Sequence, residues 1–232
     1  MRTGTKGIGR VKNALLLGRA AVSFVDLVKN LDHLDRVFEI ADALASGNVE
    51  ELEAMCVVLR KDPGGPAAFA EKPRLRVDLP ALSKLPPGTL GRVFAEHLRT
   101  NALDPASIPT LPARTDVEFL RAHFYETHDV WHAVTGFGAD PAGELGLQAF
   151  YAAQTPSNLS TLLISVGLLN TAFYAREDRN RRFEAIARGW DTGRRARRLF
   201  GTRWDALWTR PIAEVRATFG IDPYVEELSA AA

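Results

Sequence analysis

The stretch HDVWHAVTG at residues 128–136 places two imidazoles one helical turn apart, with a carboxylate beside the first. On an α-helix each residue advances about 100°, so His132 lies about 40° round from His128 and Asp129 about 100°. All three side chains then fall within one hemisphere of the helix. This arrangement allows two imidazole nitrogens to bind one divalent cation, with a carboxylate next to them.

A second carboxylate, Glu144, follows in the first turn of the next predicted helix. The intervening turn, GFGAD at residues 136–140, contains two glycines and can reverse the chain so that Glu144 lies over the histidines. Two imidazoles and two carboxylates suit zinc, iron or manganese. The alternative is an ordinary buried helix, because a histidine pair with this spacing is often structural.

The histidine–aspartate pair that opens the motif also occurs in metal-dependent phosphohydrolases. That site needs a further upstream histidine and a distant aspartate, for which His97 and Asp178 are available. This alternative makes no use of the rest of the motif. Of the other histidines, His123 is interpreted as a packing or solvent-facing residue, and neither His33 nor His97 has an evident partner.

Helical periodicity dominates the chain, and no segment alternates as a strand would. We predict an all-α single-domain multi-helix bundle with proline-rich loops, spanning 1–232. Its parts are N-terminal helices in 10–60, proline-rich loops with a connecting helix in 71–112, motif and apolar helices in 116–175, and arginine-rich helices in 176–232. The predicted helices cover about 11–31, 35–45, 50–59, 116–136, 141–150, 158–174, 176–188, 192–199 and 212–219, with one more from about residue 89.

Turn and capping residues mark the predicted boundaries. Asn48, Asp116 and Asp140 are the predicted N-caps. Residues 62–66 are predicted to break the helical pattern, 71–87 and 104–112 to be loops, and Gly189 to interrupt the arginine-rich helix. Gly136 is predicted to end the motif helix.

Composition excludes several classes of protein. The 232 residues carry a net charge of +1, which favours no nucleic-acid partner. The single cysteine, Cys56, excludes an internal disulfide and is predicted to be a buried, inert thiol. The longest uncharged stretch, 145–175, is too polar for a lipid-facing helix.

Two regions of the chain could either contact a membrane surface or form ordinary solvated helices. Before Asp26 the chain carries only basic charges, which fits a targeting segment, a membrane-surface helix or an ordinary first helix. Residues 176–203 hold ten arginines and four acidic residues, which fits ion pairs on a solvated face or contacts to lipid phosphates. Four aromatic residues accompany them and suit a membrane interface or helix packing equally: Trp190, Trp204, Trp208 and Tyr224.

The chain resembles the Coq-four family of ubiquinone (coenzyme Q) biosynthesis proteins. HDVWH followed by eleven residues and Glu144 is similar to the family's HDxxH-x(11)-E signature. KPRLRVDLPALSKLPPGTLGRVFAEHL and GWDTGRRARRLFGTRWDALWTRPIAEVRATFGI resemble the segments on either side. The resemblance covers most of the chain, and the lack of room for a long presequence leads us to expect a bacterial member.

The resemblance implies an all-α, membrane-associated, zinc-binding protein whose metal ligands are His128, Asp129, His132 and Glu144. It implies a role in removing the C1 carboxyl of a polyprenylated 4-hydroxybenzoate, with hydroxylation at that carbon, or else a non-catalytic scaffold for the pathway's enzymes. The apolar helix 159–175 would then be both a core helix and one wall of a slot for the isoprenoid tail.

Ligand number bears on the choice between these roles. Four protein ligands close a tetrahedral zinc site, whereas catalysis needs an open position, so Asp129 is the better candidate for an outer residue that orients a histidine. Zinc has no redox chemistry, so hydroxylation would favour iron or another redox-active metal. The implied partners are a polyprenylated benzenoid lipid, other ubiquinone-biosynthesis enzymes and a membrane surface, with a homodimer as the candidate oligomer. The implied location is the cytoplasmic face of a bacterial inner membrane, or the matrix side of the mitochondrial inner membrane in a eukaryote.

Overall fold

The structure, a computed structural model, describes residues 22–30 and 34–225. The basic residues before Asp26 and the unassigned His33 lie outside these ranges. The helices, numbered in chain order, are α1 (22–29), α2 (Leu34–Gly47), α3 (Val49–Leu59), α4 (Gly65–Glu71), α5 (Leu79–Leu82), α6 (Leu90–Thr100), α7 (Asp116–Thr135), α8 (Pro141–Gln154), α9 (Asn158–Phe173), α10 (Arg179–Arg195) and α11 (Ile212–Phe219).

The all-α single-domain prediction is confirmed. Between residues 22 and 225 the described backbone forms helices, turns and one isolated antiparallel bridge, between Thr89 and Pro211. The largest group of buried side chains joins α6, α7, α8, α10 and α11, with Trp131, Phe150 and Trp204 among its largest members. The motif helix α7 therefore passes through the core, and its Val130 and Trp131 side chains are fully buried.

Two predicted loop regions contain short helices, which is a correction. Residues 62–66 do not only interrupt the helical pattern, because α4 begins within them. Helix α5 lies inside the predicted loop 71–87. The Asp78 side chain accepts a hydrogen bond from the Ala81 N–H at 3.0 Å, and Pro80 occupies the first turn. An N-cap followed by proline can start a helix even where prolines suggest a loop.

The predicted break at Gly189 is wrong. Helix α10 runs through Gly189 and ends at Arg195, so 192–199 is not a separate helix. A Cβ atom on Gly189 would lie 2.0 Å from the Gly146 carbonyl oxygen. The glycine allows α10 to pack directly on the α8 backbone, and α8 is the helix that carries Glu144.

The N-caps near the motif were predicted only in part. Helix α7 is capped by Thr115 and not by Asp116: Thr115 accepts from the Glu118 N–H at 3.1 Å, in a reciprocal capping box. Asp140 caps α8 as predicted, by accepting from the Gly143 N–H at 3.1 Å. Asn48 is at the N-cap position of α3, but its side chain bonds the Glu51 carboxylate instead of a backbone N–H.

The end of α7 is fixed by groups from distant parts of the chain. Gly136 has a φ of +83°, and a Cβ there would lie 2.7 Å from the Tyr224 carbonyl oxygen. The Arg216 guanidinium donates to the carbonyls of Ala133 and Val134 at 3.0 and 2.8 Å. These contacts satisfy carbonyls that a helix end leaves unpaired and set the direction in which the chain turns towards Glu144.

The arginine-rich region is largely paired with acidic residues. Arg182 is 4% exposed and bonds Asp178, Asn170 and Thr171 at 2.7 to 3.0 Å. Ion pairs also hold Arg198 to Asp62 at 2.6 Å. Three of the four nearby aromatics are packing residues: Trp204 is buried, Trp208 stacks on Phe94 and Tyr224 on Phe137, whereas Trp190 is 46% exposed.

The hydropathy of the described helices gives no single membrane-spanning helix. Helices α9 and α10 together reach the required length and composition, but they meet at a bend of 118°.

Candidate metal centre

His132 is fixed in the tautomer that a metal ligand needs. Its side chain is 1% exposed, and its Nδ1 lies 3.0 Å from the Phe137 carbonyl oxygen. Because a carbonyl only accepts, Nδ1 carries the ring proton, and Nε2 keeps a free lone pair. That Nε2 lies 3.2 Å from Nε2 of His128, one turn earlier on α7.

Glu144 completes a three-residue cluster, as the sequence predicted. Its Oε1 is 3.1 Å from His132 Nε2, and its Oε2 is 3.7 Å from His128 Nε2. The three potential ligand atoms lie within 4.8 Å of one another. Ligands about 2.1 Å from one tetrahedral ion are separated by about 3.4 Å, so this donor set fits zinc or a similar divalent cation.

The cluster's electrostatics favour an ionised carboxylate beside two imidazoles. Burial raises the pKa of Glu144, but the opposing effect of the nearby histidines, His132 foremost, is larger. The resulting pKa is about 2. Burial lowers the pKa of His132, and Glu144 more than offsets this, so that pKa is raised. Burial lowers the pKa of His128. Glu144 is therefore an anionic ligand at any pH near neutral.

Asp129 lies near the cluster but is not part of it. It lines the cavity next to His128 and Glu144. Its charge raises the pKa of both histidines, although the carboxylate is not among the converging ligand atoms. Its role as a ligand remains a prediction, and its position suits the alternative of an outer residue.

The cluster borders a mostly apolar cavity of about 420 Å³. His128, Asp129 and Glu144 lie on its wall, and the remaining wall comes mainly from α1, α2, α3, α7, α8 and α9 and from the connection between α6 and α7 at residues 103–108. Its aliphatic and aromatic lining includes Leu27, Val37, Phe38, Leu44, Leu52, Met55, Leu120, Phe124, Leu145, Leu159, Leu163 and Val166. Helix α9 thus contributes both to the core and to the cavity wall, as expected.

Two aromatic rings support His128 from the core side. Tyr151 stacks on Trp131, with ring centroids 4.2 Å apart and planes 9° from parallel. His128 lies nearly parallel to Tyr151, at 5.9 Å and 17°. The Tyr151 hydroxyl is buried, and burial together with Asp129 and Glu144 raises its pKa well above 10.

His97, which had no evident partner in sequence, is a neighbour of the site. Its ring stacks on His132 with centroids 5.2 Å apart and planes 19° from parallel. Burial and the nearby His132 lower its pKa to about 4. Since stacked rings direct their nitrogens along parallel planes, His97 supports His132 instead of sharing its ion. It lies on α6, across a loop from the motif, so spacing along the chain carried no signal for it.

Of the two further residues that the phosphohydrolase alternative needs, His97 lies beside the site and Asp178 does not. Asp178 bonds Arg182 at 2.7 Å and pairs with Arg181, and it is not in the metal cluster. His123 is 2% exposed, accepts from the Gly201 N–H at 3.0 Å and contacts the rings of Phe119 and Phe200. The packing interpretation of His123 is confirmed. Cys56 is also buried as predicted, and burial raises the pKa of its thiol to about 11.

Fold and site together define an all-α protein with a two-histidine, one-carboxylate cluster beside an apolar cavity. A family model described as coenzyme Q (ubiquinone) biosynthesis protein Coq4 matches residues 10–224. The chain belongs to this Coq4 family.

Related proteins come from fungi, animals and cyanobacteria. The chain is 25% identical over 217 residues to a mitochondrial ubiquinone biosynthesis protein of Neurospora crassa, covering 90% of this chain and 59% of that protein. The corresponding protein of Botryotinia fuckeliana is 30% identical, with 69% and 58% covered. The chain thus spans about three fifths of these curated relatives. A crystal structure of a candidate ubiquinone biosynthesis protein from Nostoc punctiforme superposes with a TM-score of 0.76 at 30% identity, covering 88% of this chain and 98% of that one.

Proposed function

We propose that this protein is a metal-dependent protein of ubiquinone biosynthesis that acts at C1 of a polyprenylated 4-hydroxybenzoate. The observation that carries the proposal is the position of the His128–His132–Glu144 cluster on the wall of an apolar cavity. A carboxylated ring with an isoprenoid tail is complementary to this site. Its carboxylate suits the metal cluster, and its tail suits the aliphatic lining of the cavity. Family membership gives the pathway.

The donor set fits zinc, which the family resemblance implies, and it also fits iron. When bound, the cation would supply positive charge that holds and orients the substrate carboxylate. Three protein ligands leave a fourth position open, which is what a catalytic site requires. This reasoning favours Asp129 as an outer residue.

Decarboxylation can be balanced with groups of this chain and of the substrate. C1 first takes up one proton, and the para hydroxyl stabilises the positive charge that this places in the ring. The bond between C1 and the carboxylate then breaks, its electron pair restores the aromatic ring, and carbon dioxide leaves. Asp129, beside the cavity, is the carboxyl group placed to relay this proton from solvent to the headgroup.

Hydroxylation at the same carbon would require dioxygen and a two-electron donor in addition. Zinc does not change its oxidation state, so that reaction would require iron or another redox-active metal in the same donor set. The metal that accompanies turnover therefore discriminates between simple and oxidative decarboxylation.

The test is release of carbon dioxide from a carboxyl-labelled 4-hydroxybenzoate bearing a short prenyl chain, with and without added zinc or iron. We expect release by the metal-loaded protein and none after His132→Ala. Full turnover by a His132→Ala protein that has lost its metal would contradict the metal's role. Formation of the hydroxylated ring only with iron and dioxygen would identify the oxidative reaction.

The alternative is a scaffold that binds prenyl lipid at a membrane and organises other pathway enzymes. Exposed apolar side chains at the end of α9 and along α10 favour it, namely Leu169, Phe173, Tyr174, Phe183 and Trp190. Binding to vesicles containing anionic lipid, together with prenyl-lipid binding and no turnover, would support the scaffold. Such binding would support a location at a membrane surface, for which the bacterial or mitochondrial inner membrane is the proposed site. The phosphohydrolase alternative would need turnover of phosphomonoesters.

A further inference from the structure

Tyr151 presents a buried hydroxyl that the protein itself does not use. Its side chain is 7% exposed and lines the same cavity as the metal cluster. The hydroxyl forms no hydrogen bond to any part of the chain that the structure describes. A buried donor without a partner costs about 1–3 kcal/mol, so such a group calls for a partner from outside the chain, for example a water molecule or a ligand.

The hydroxyl is also held in a fixed position. The phenol ring stacks closely on the Trp131 indole, and the His128 imidazole lies nearly parallel to it at a larger distance. Trp131 is fully buried in the core and cannot shift without repacking it. The ring therefore has little freedom to rotate the hydroxyl towards another partner, and a group held this way is a preorganised donor.

A buried donor without a partner does not by itself indicate a ligand-binding group, as a second such donor shows. The Trp131 indole N–H is also buried without a partner among the described residues, but Trp131 does not line the cavity. Among the described residues, Tyr125 also lines the cavity with a buried, unpartnered hydroxyl, but its ring packs on Phe38. Tyr151 is the one of these two tyrosines whose ring stacks on a residue of the cluster, His128. The Tyr151 ring lies 5.9 Å from the His128 ring, which places it beside the cluster, and neither Asp129 nor Glu144 accepts a hydrogen bond from its hydroxyl.

We propose that Tyr151 is the headgroup-binding residue of this site, whose hydroxyl donates a hydrogen bond to a carboxylate oxygen of the bound aromatic acid. The inference rests on the proposed function for the chemical class of the ligand, an aryl carboxylate with an apolar tail. It adds a specificity element: a ring without the carboxylate lacks the acceptor next to the cluster. Tyr151 thus discriminates the acid from the decarboxylated phenol.

The test compares Tyr151→Phe with the unaltered protein in equilibrium binding. The two probes are 4-hydroxybenzoate bearing a geranyl chain and the matching geranyl phenol without the carboxyl group. Phenylalanine keeps the stack on Trp131 and His128 and removes only the hydroxyl. We expect affinity for the acid to fall about tenfold or more, since hydrogen bonds to charged acceptors are strong, and affinity for the phenol to change less than about twofold.

Tyr125→Phe is the matched comparison. Tyr125 lines another part of the cavity, near Asp42 and Arg121. Removing its hydroxyl should leave the ratio of acid to phenol affinity unchanged. Zinc titration and thermal unfolding of both variants verify that the metal site and the fold are retained.

The outcomes separate this inference from the proposed function. Loss of acid affinity in Tyr151→Phe supports the inference, even if the unaltered protein binds the acid without turning it over. Unchanged acid affinity overturns it, even if carbon dioxide is released. An unaltered protein that binds neither probe overturns both, and equal losses for acid and phenol overturn the headgroup assignment.

Discussion

Helix α7 carries two histidine environments that differ in what surrounds each ring. His123, near its middle, is enclosed by phenylalanine rings and accepts one backbone N–H from Gly201. About two and a half turns later, His132 donates from Nδ1 to a carbonyl and directs Nε2 at another histidine and a carboxylate. The first histidine is used as an acceptor within the core, and the second as a metal ligand candidate.

The difference shows that a histidine's function depends on the partner of each ring nitrogen more than on burial. Both rings are almost inaccessible to solvent. Burial lowers the pKa of His123 to about 4, whereas Glu144 reverses the effect of burial on His132. A nearby anion therefore distinguishes a site that can bind a cation from one that cannot.

Removing a ligand should produce the largest effect. Structural zinc sites bind with about 10–16 kcal/mol from four ligands, so each ligand contributes about 3–4 kcal/mol. We expect His132→Ala to weaken zinc affinity about 100- to 1000-fold, measured by competition with a chromophoric chelator. His123→Gln, on the same helix, should retain zinc affinity within about twofold, because it is not in contact with the cluster. Equal losses in the two variants would remove the distinction between the two environments.

The next largest effect should be the loss of folding stability that His123 causes as the pH falls. Its pKa is 6.5 in the unfolded chain and about 4 in the fold, so the unfolded state binds more protons as pH falls below 6.5. The stabilisation is present above 6.5 and is lost as pH falls towards 4. The free energy of unfolding of the metal-free protein should drop by about 2 kcal/mol from this group between pH 7.5 and 5.

Urea unfolding at the two pH values measures this contribution. Other buried histidines add to the total drop, so the informative quantity is the difference between the unaltered protein and His123→Gln, whose amide can still accept from Gly201. We expect the variant's drop to be smaller by that amount. The same drop in both proteins would show that His123 does not resist protonation.

Asp129→Asn tests whether the carboxylate beside the cluster binds the ion or only orients its neighbours. An outer residue typically changes metal affinity 10- to 100-fold. Because its carboxylate lies outside the converging ligand atoms, we expect the lower end, about tenfold, in the same chelator competition. A loss as large as that of His132→Ala would make Asp129 a ligand and close the fourth position.

The sequence identified the cluster because its geometry is local. A helical turn sets the distance between His128 and His132, and the short GFGAD turn brings Glu144 back, so spacing along the chain was sufficient. Long-range packing was not predictable in this way. Gly189 appeared to be a helix break because its close approach to Gly146 exists only in the folded structure. The Tyr151 stack likewise depends on the angle between α7 and α8.

His97 is the clearest example of long-range packing that could not be predicted from the sequence. Replacing it should give the smallest of the predicted losses of zinc affinity. Its ring covers the face of His132 from α6 and leaves the ligand nitrogens free. His97→Ala should leave that face open and weaken zinc affinity about three- to tenfold by loosening the ligand. His97→Phe keeps a flat ring and should restore most of the affinity. If His97→Phe is as weak as His97→Ala, a ring nitrogen of His97 is needed at the site, and His97 belongs with the ligand environment of His132 instead of with packing histidines such as His123.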